Sequence, residues 1–340
     1  MAKHTSKSIK QIFDSFIKLR VLIIGDVMID NYVWGKVSRI SPEAPVPIVS
    51  VVRKEQRLGG AANVALNVKA LGATPVLCSV IGVDSAGKHF LEMMEKEKLS
   101  VKGILKSRDR ITTIKTRVLG NTSHLLRIDE EIDSDITEHE TNLFLQSITY
   151  LIETQKIDVI IFEDYNKGLI TEPLIKDVLR RAKKLSVPVV VDPKKKHFMC
   201  YHGATLFKPN LKELKEGLKL DFDQSSEKEL AKAVDMLKSK LKIDLAMITL
   251  SEHGIYIHGR HVKKRLPAHY RNISDVSGAG DTVVSVAALA LAAGLKPEMI
   301  AEISNIAGGL VCESVGVVPI DRNQLIEETL KAFGITFEYN

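Results

Sequence analysis

Cysteine is scarce in this chain. Cys78, Cys200 and Cys312 are far apart and odd in number. They set out neither a disulfide framework nor a metal-binding pattern, so a reducing, cytoplasmic setting is expected. Aromatic residues make up 5% of the sequence, with a single Trp. No basic tract is interleaved with them, and a nucleic-acid partner is not expected. Nothing approaches the ~18 consecutive apolar residues of a membrane span. The N-terminus, MAKHTSKSIKQIFDSFIKL, is basic and amphipathic and lacks the apolar core and small-residue cleavage site of a secretory leader. No internal repeat is evident. The net charge of +6 is modest; it suits an anionic substrate, and scattered lysines also produce it.

The 340 residues, 45% hydrophobic and 26% charged, have room for one large α/β body. Short apolar runs at Val21–Gly25, Pro75–Ile81, Val159–Phe162, Val187–Val191 and Leu245–Thr249 alternate with helical stretches such as Thr171–Leu185 and Glu227–Leu241. That alternation predicts a mainly parallel, doubly wound sheet. Polar clusters follow the strands: Asp26 and Asp30, Glu163-Asp164-Tyr165-Asn166-Lys167-Gly168, Asp192-Pro193-Lys194, Lys208-Pro209-Asn210 and Ser251–Gly254. All are placed to converge on one crevice outside the strands' carboxyl ends. Two β-rich stretches, Val37–Val52 and Gly103–Ile128, fall outside this pattern. They are expected to pair as a small sheet, a lid over the site. Residues 1–18 read as a helical arm, 19–330 as one domain with its lid, and 331–340 as a tail.

The stretch Asp275-Val-Ser-Gly-Ala-Gly-Asp-Thr282 runs straight into the small, apolar segment Thr282–Ala293 and stops at Gly294. It reads as a glycine turn opening a buried helix. Free N–H groups at such a start bind anions, and Asp281 stands beside them as a base for an attacking hydroxyl. A plain N-capping Asp fits the same residues. Earlier, Gly59-Gly60 opens a helix that carries Asn63. Gly82-Val-Asp-Ser-Ala-Gly-Lys88 matches a phosphate-binding loop, but His89 stands where the Mg²⁺-binding Ser or Thr belongs, so it reads as a turn into a helix.

In their order and spacing, Gly59-Gly60-Ala-Ala-Asn63, Asn210-x-x-Glu213 and Gly278-Ala-Gly-Asp281-Thr282 resemble the PfkB (ribokinase-type) sugar kinases over roughly Leu19–Ile326. The proline-rich Ser38–Pro47 is similar to the heptose 7-phosphate kinase branch. The resemblance implies a three-layer ribokinase-like fold with a small β lid. It also implies ATP and Mg²⁺ as cofactors, with K⁺ as a further cation, and transfer of the γ-phosphoryl group to the anomeric hydroxyl of the sugar phosphate; the alternatives are a kinase of the family for another sugar or sugar phosphate, or a non-catalytic sugar- or nucleotide-binding regulator on the same fold. Asp281 would be the base, and Gly278, Ala279 and Gly280 the anion hole. Asp26, Asp30, Gly59, Gly60 and Asn63 would meet the sugar. Asn210 and Glu213 would organise Mg²⁺, largely through water, while also suiting a helix cap and its partner. Thr249, Ser251, Gly254, Asn305 and Gly308 would line the nucleotide, and Lys194 could face either phosphate. Asp275 and Ser277 would hold the monovalent cation, with a second loop near Val311–Gly316. Two or three of Arg39, Arg57, Lys115, Arg117, Arg127 and Lys167 would clamp the sugar phosphate, with Arg39, Arg127 and Lys167 put forward. A homodimer through the lid is implied. With no H-x-G-H motif in this chain, a separate nucleotidyltransferase would act downstream.

Overall fold

The computed structural model describes residues 6–120 and 123–334; residues 1–5 of the expected arm and 335–340 of the expected tail lie outside them. In chain order the elements are α1 (Ser6–Phe16), β1 (Arg20–Gly25), β2 (Val27–Ile40), β3 (Pro47–Gly60), α2 (Ala61–Ala70), β4 (Thr74–Gly82), α3 (Ser85–Lys96), β5 (Gly103–Ser107), β6 (Ile114–Gly120), β7 (Ser123–Glu130), α4 (Glu138–Thr154) and β8 (Val159–Glu163). There follow α5 (Glu172–Leu185), β9 (Val189–Asp192), β10 (Leu206–Phe207), α6 (Leu211–Leu218), α7 (Glu227–Leu241), β11 (Leu245–Thr249), β12 (Ile255–His258), β13 (Lys263–Leu266), α8 (Ala279–Ala292), α9 (Pro297–Val311) and α10 (Arg322–Ala332).

The main sheet runs β13-β12-β11-β10-β9-β8-β1-β4-β5, parallel from β11 to β5 and antiparallel at β12 and β13. Its central parallel strands, β1, β8 and β9 among them, are buried on both faces. Val21 and Ile23 point into one core, with α1, α2, α8 and α9; Leu22 and Ile24 point into the other, with α4, α5, α6 and α7. This period of two makes a buried parallel strand a continuous apolar run. The helix α1 belongs to the first core, with Ile9, Phe13 and Phe16 fully buried. Strand order reverses at β1, with β4 on one side and β8 on the other, and such a reversal opens a crevice outside the carboxyl ends.

A second sheet, β3-β2-β6-β7, stands apart. Its first strand begins earlier than expected, at Val27 rather than Val37, so Asp30 lies inside β2 and not in a turn. Residues 103–107, expected in the lid, are instead the edge strand of the main sheet, parallel to β4. A Cβ on Gly103 would lie 2.2 Å from the Leu77 carbonyl, so a glycine permits that close parallel pairing. The Gly82–Lys88 turn is capped from within. Asp84 accepts from Gly87 N–H at 2.6 Å and Thr112 N–H at 2.7 Å, and Lys88 is exposed. The Asp84 carboxylate takes up these N–H groups itself.

Candidate active site

Glycine at 278 has φ 79°, a left-handed conformation that a side chain disfavours. It turns the chain into α8, whose first N–H groups have no carbonyl one turn before them. Ala279 N–H turns back to Val276 O at 3.3 Å, so the open donors are those of Gly280 and Asp281. Every residue from Asp281 to Ala290 is buried, and the small side chains let α8 sit against both α2 and α9. Gly308 serves that packing: a Cβ there would lie 2.7 Å from Val283. It faces α8.

Asp281 is 3% exposed. Its Oδ2 accepts from Asn63 Nδ2 and its Oδ1 from the Tyr165 hydroxyl, both at 2.7 Å. Asn63 is held by α2, whose Asn67 donates to Asn63 O at 2.9 Å and accepts from Thr282 Oγ1 at 3.1 Å. Burial pushes the Asp281 carboxyl up to about 6. The Asn63 and Tyr165 hydrogen bonds work against that rise, and the nearby carboxylates of Asp192 and Asp30 add to it. A carboxylate so poised accepts protons near neutral pH.

Neighbouring strand ends supply the rest. Glu163 closes β8, Asp192 closes β9 and Lys208 follows β10. Lys208 is 3% exposed and pairs with Asp192 Oδ2 at 2.9 Å. Burial alone would lower its ammonium; Asp192 and Glu213 more than offset this and raise it. Glu163 is pushed well above the carboxylate range by burial, then by Asp192 and Asp281. Among the described residues, Glu163 Oε2 and Asp192 Oδ1 are buried with no hydrogen-bond partner. A Cβ on Gly280 would stand 3.5 Å from Asp192 Oδ2 and 3.8 Å from Lys208 Nζ, so the open helix start faces the buried Asp192–Lys208 ion pair. The sequence set Tyr165, Glu163 and Lys208 in polar clusters at the crevice but gave none of them an individual role.

The other expected residues divide. Asp26 gives both oxygens to backbone: Oδ2 accepts from Tyr165 at 2.9 Å and Lys167 at 3.2 Å, and Oδ1 from Leu169 at 3.3 Å. It anchors the loop after β8 instead of standing open to a sugar. Burial first, then Asp164, raises its carboxyl to about 6. Asp30 pairs with Arg117 across β2 and β6. A Cβ on Gly59 would meet the Asp30 carboxylate at 2.0 Å, and one on Gly60, at φ 60°, the Asp26 carbonyl at 2.4 Å. The glycine pair therefore makes room for these two residues.

Asn210 and Glu213 form a reciprocal capping box, with both bonds at 2.8 Å, and Lys194 pairs with the Glu213 carboxylate. No set of three or more His, Cys, Asp or Glu side chains among the described residues is arranged to hold a metal. Asp275 Oδ1 accepts from Ser277 N–H at 3.0 Å and its hydroxyl at 2.9 Å, and Oδ2 from Gly316 N–H at 2.8 Å, clasping the two loops assigned to a monovalent cation. Asn305 donates to Pro267 O at 2.7 Å. Gly254 (φ 85°) would set a Cβ 2.0 Å from Leu266 O, and Ser251 also has positive φ. Both shape the turn after Thr249, which bridges Asn210.

A cavity of about 440 Å³ opens between the second sheet and the start of α8, lined by Arg117, His124, Leu125, Leu126, Arg127 and Ser277. Arg127 also pairs with Asp129 through two bonds of 2.7 and 2.8 Å. Lys167 and Lys115 pair with Glu131, each at 2.7 Å, and do not line the cavity. Arg39 is exposed nine residues beyond Asp30 on β2, about 30 Å along a strand, and does not join the site.

The profile of the pfkB family carbohydrate kinases matches residues 18–322. The chain is 37% identical over 325 residues to Bifunctional protein HldE of Geotalea uraniireducens, covering 95% of this chain and 65% of that protein. It is 37% identical over 297 residues to the HldE of Helicobacter pylori, covering 87% and 63%. The chain thus spans less than two-thirds of the length of these relatives. Phosphofructokinase-2 from Escherichia coli, in complex with potassium, shares the fold at TM-score 0.75 and 16% identity, with 93% of this chain and 99% of that one covered. Ribokinase of Arabidopsis thaliana, complexed with ribose and ATP, does so at 0.70 and 16%, with 92% and 99% covered. The fold is ribokinase-like, and the chain belongs to the PfkB family of carbohydrate kinases.

Proposed function

We propose that the chain transfers the γ-phosphoryl group of ATP to the anomeric hydroxyl of D-glycero-D-manno-heptose 7-phosphate. The observation that carries this reading is the cavity beside α8, with Arg117, His124 and Arg127 on its wall and Ser277 at the helix start. Its size suits a small polar ligand, and arginines suit a phosphate, which would draw Arg127 from Asp129 and compete with Asp30 for Arg117. The sugar's own phosphate would sit among these basic groups, with the acceptor hydroxyl at Asp281.

Asp281 takes the hydroxyl proton, and the amides of Gly280 and Asp281 hold charge on the phosphoryl oxygens. Lys208 faces the same helix start from below. Mg²⁺, when bound with ATP, neutralises phosphate charge; Asn210 and Glu213 would hold it through water, and Lys194 balances Glu213. Asp275 Oδ2, accepting one hydrogen bond, keeps a lone pair for K⁺. The second sheet acts as the lid. Val51, Val52, Leu126 and Ile128 are exposed on it, from 47% to 69%, and a homodimer formed through this sheet would cover them.

ADP release from ATP and Mg²⁺ is the test, run against heptose 7-phosphate, fructose 6-phosphate, fructose 1-phosphate and ribose. Selective turnover of the heptose phosphate supports the reading. Preference for another member keeps a sugar kinase but removes this acceptor.

A further inference from the structure

The geometry points to Tyr165 as a positioning residue for phosphoryl transfer: its hydroxyl holds the Asp281 carboxylate as an anion, in one orientation, facing the acceptor. This rests on Asp281 being the base, as proposed above.

The two donors to Asp281 come from opposite sides. Asn63 reaches Oδ2 from α2, and Tyr165 reaches Oδ1 from the loop after β8, each at 2.7 Å. Between them they fix the plane of the carboxylate. Each oxygen has two lone pairs, so one on each stays open to an incoming hydroxyl. Tyr165 is itself fixed: its backbone N–H is bound by buried Asp26 at 2.9 Å, and the Lys194 ammonium lies over its ring, 5.6 Å from the centroid. The chain Asp26 to Tyr165 to Asp281 spans 116 residues at its second link, and no part of it lies on a freely moving side chain.

The surroundings give this hydrogen bond work to do. Asp281 is faced by Glu163 from β8, Asp192 from β9 and Asp30 from β2, against Lys208 and Lys194. A carboxyl buried among like charges tends to keep its proton, and a protonated Asp281 cannot take another. Donors aimed at its oxygens oppose that. The phenol cannot compete as a base, because burial and the Asp281 charge hold it protonated. In the reaction the acceptor O–H gives its proton to Asp281 while the oxygen's lone pair forms the new O–P bond. The P–O bond to the leaving nucleoside diphosphate breaks, and its electrons remain on the terminal diphosphate oxygen. Tyr165 donates throughout and transfers no proton.

The test is the pH profile of kcat/KM for the sugar, from about pH 5 to 9, for the native chain and Tyr165→Phe, with ATP and Mg²⁺ saturating. Both enzymes see the same substrate phosphate ionisations, so a difference between profiles belongs to the protein. The acid limb should move up by about one pH unit, with the alkaline plateau within several-fold of native and the KM for ATP unchanged. An unmoved limb overturns the proposal, whether activity is unchanged or falls equally at every pH. If Tyr165→Phe does not fold, fluorotyrosine at 165, a stronger donor, should move the limb down; an unmoved limb overturns the proposal there too. Asp281→Asn is the control: if it keeps native turnover, the base assignment fails, whatever Tyr165 does.

Discussion

Gly280→Ala separates stability from activity at the heart of the site. A methyl at this position meets Asp192 Oδ2 at 3.5 Å and Lys208 Nζ at 3.8 Å, which are ordinary van der Waals contacts. Gly280 is not among the positive-φ residues and lies in the first turn of α8. The substitution should leave the fold intact and stabilise it by up to about 0.5–1 kcal/mol, the helical advantage of Ala over Gly. The same methyl stands in the gap between the helix start and Lys208, where the transferred phosphoryl group is proposed to sit. Displacing that group from one preorganised N–H should lower kcat/KM for ATP by about 10²-fold, or about 3 kcal/mol. Thermal unfolding and a coupled ADP-release assay on the same preparation give both numbers. Gly278→Ala is the contrast: with φ 79° and Asn63 Nδ2 3.0 Å from the new Cβ, it should lose stability as well as activity. Native turnover in Gly280→Ala, with the fold retained, would refute the anion-hole argument.

Lys208→Met should destabilise by about 3–5 kcal/mol, because it leaves the buried Asp192 carboxylate without its 2.9 Å partner and with only Lys194, at 3.9 Å, as a cation. Adding Glu163→Gln should recover part of that loss, and urea denaturation measures both. The Asp281 carboxyl lies at about 6, above its ordinary 3.8, so between those values the folded chain binds more protons than the unfolded one. Its contribution to stability is full below about pH 4 and is lost as pH rises through 6. Asp281→Asn should therefore gain on the native chain as pH rises from 4 to 7, by up to about 3 kcal/mol, in thermal melts across that range. Activity of the native chain should fall as pH drops below about 6. Leu126→Glu should give a monomeric mass by light scattering if the second sheet forms the dimer; an unchanged native mass would count against that interface.

The parts of the site that lie close together along the chain were legible in the sequence. The glycine turn before Asp281 announces a helix start because few other residues take φ 79°. Gly59 and Gly60 are legible for a similar reason, although what they make room for is the Asp30 carboxylate and the Asp26 carbonyl. The parallel sheet followed from the apolar runs, since both its faces are covered. Partners from distant segments were not legible. Tyr165 meets Asp281 only once β8 and α8 are brought together, and Lys208 gains its role from the register that sets it beside Asp192. Residues 103–107 show the limit of pattern: a short β segment does not say which sheet it joins, and the close approach of Gly103 to Leu77 decided it. Arg39 and Arg127 are both arginines on the second sheet, and only the strand lengths place one at the cavity and the other far from it.

The central claim is transfer of a phosphoryl group to the anomeric oxygen of a sugar that already carries phosphate. Phosphorus NMR of the chain with ATP, Mg²⁺ and D-glycero-D-manno-heptose 7-phosphate observes this directly. The account predicts loss of the γ-phosphate signal and growth of an anomeric phosphate coupled to H1, with the original 7-phosphate intact and Asp281→Asn silent. Inorganic phosphate as the only product, or a new phosphate on any other carbon, would contradict it.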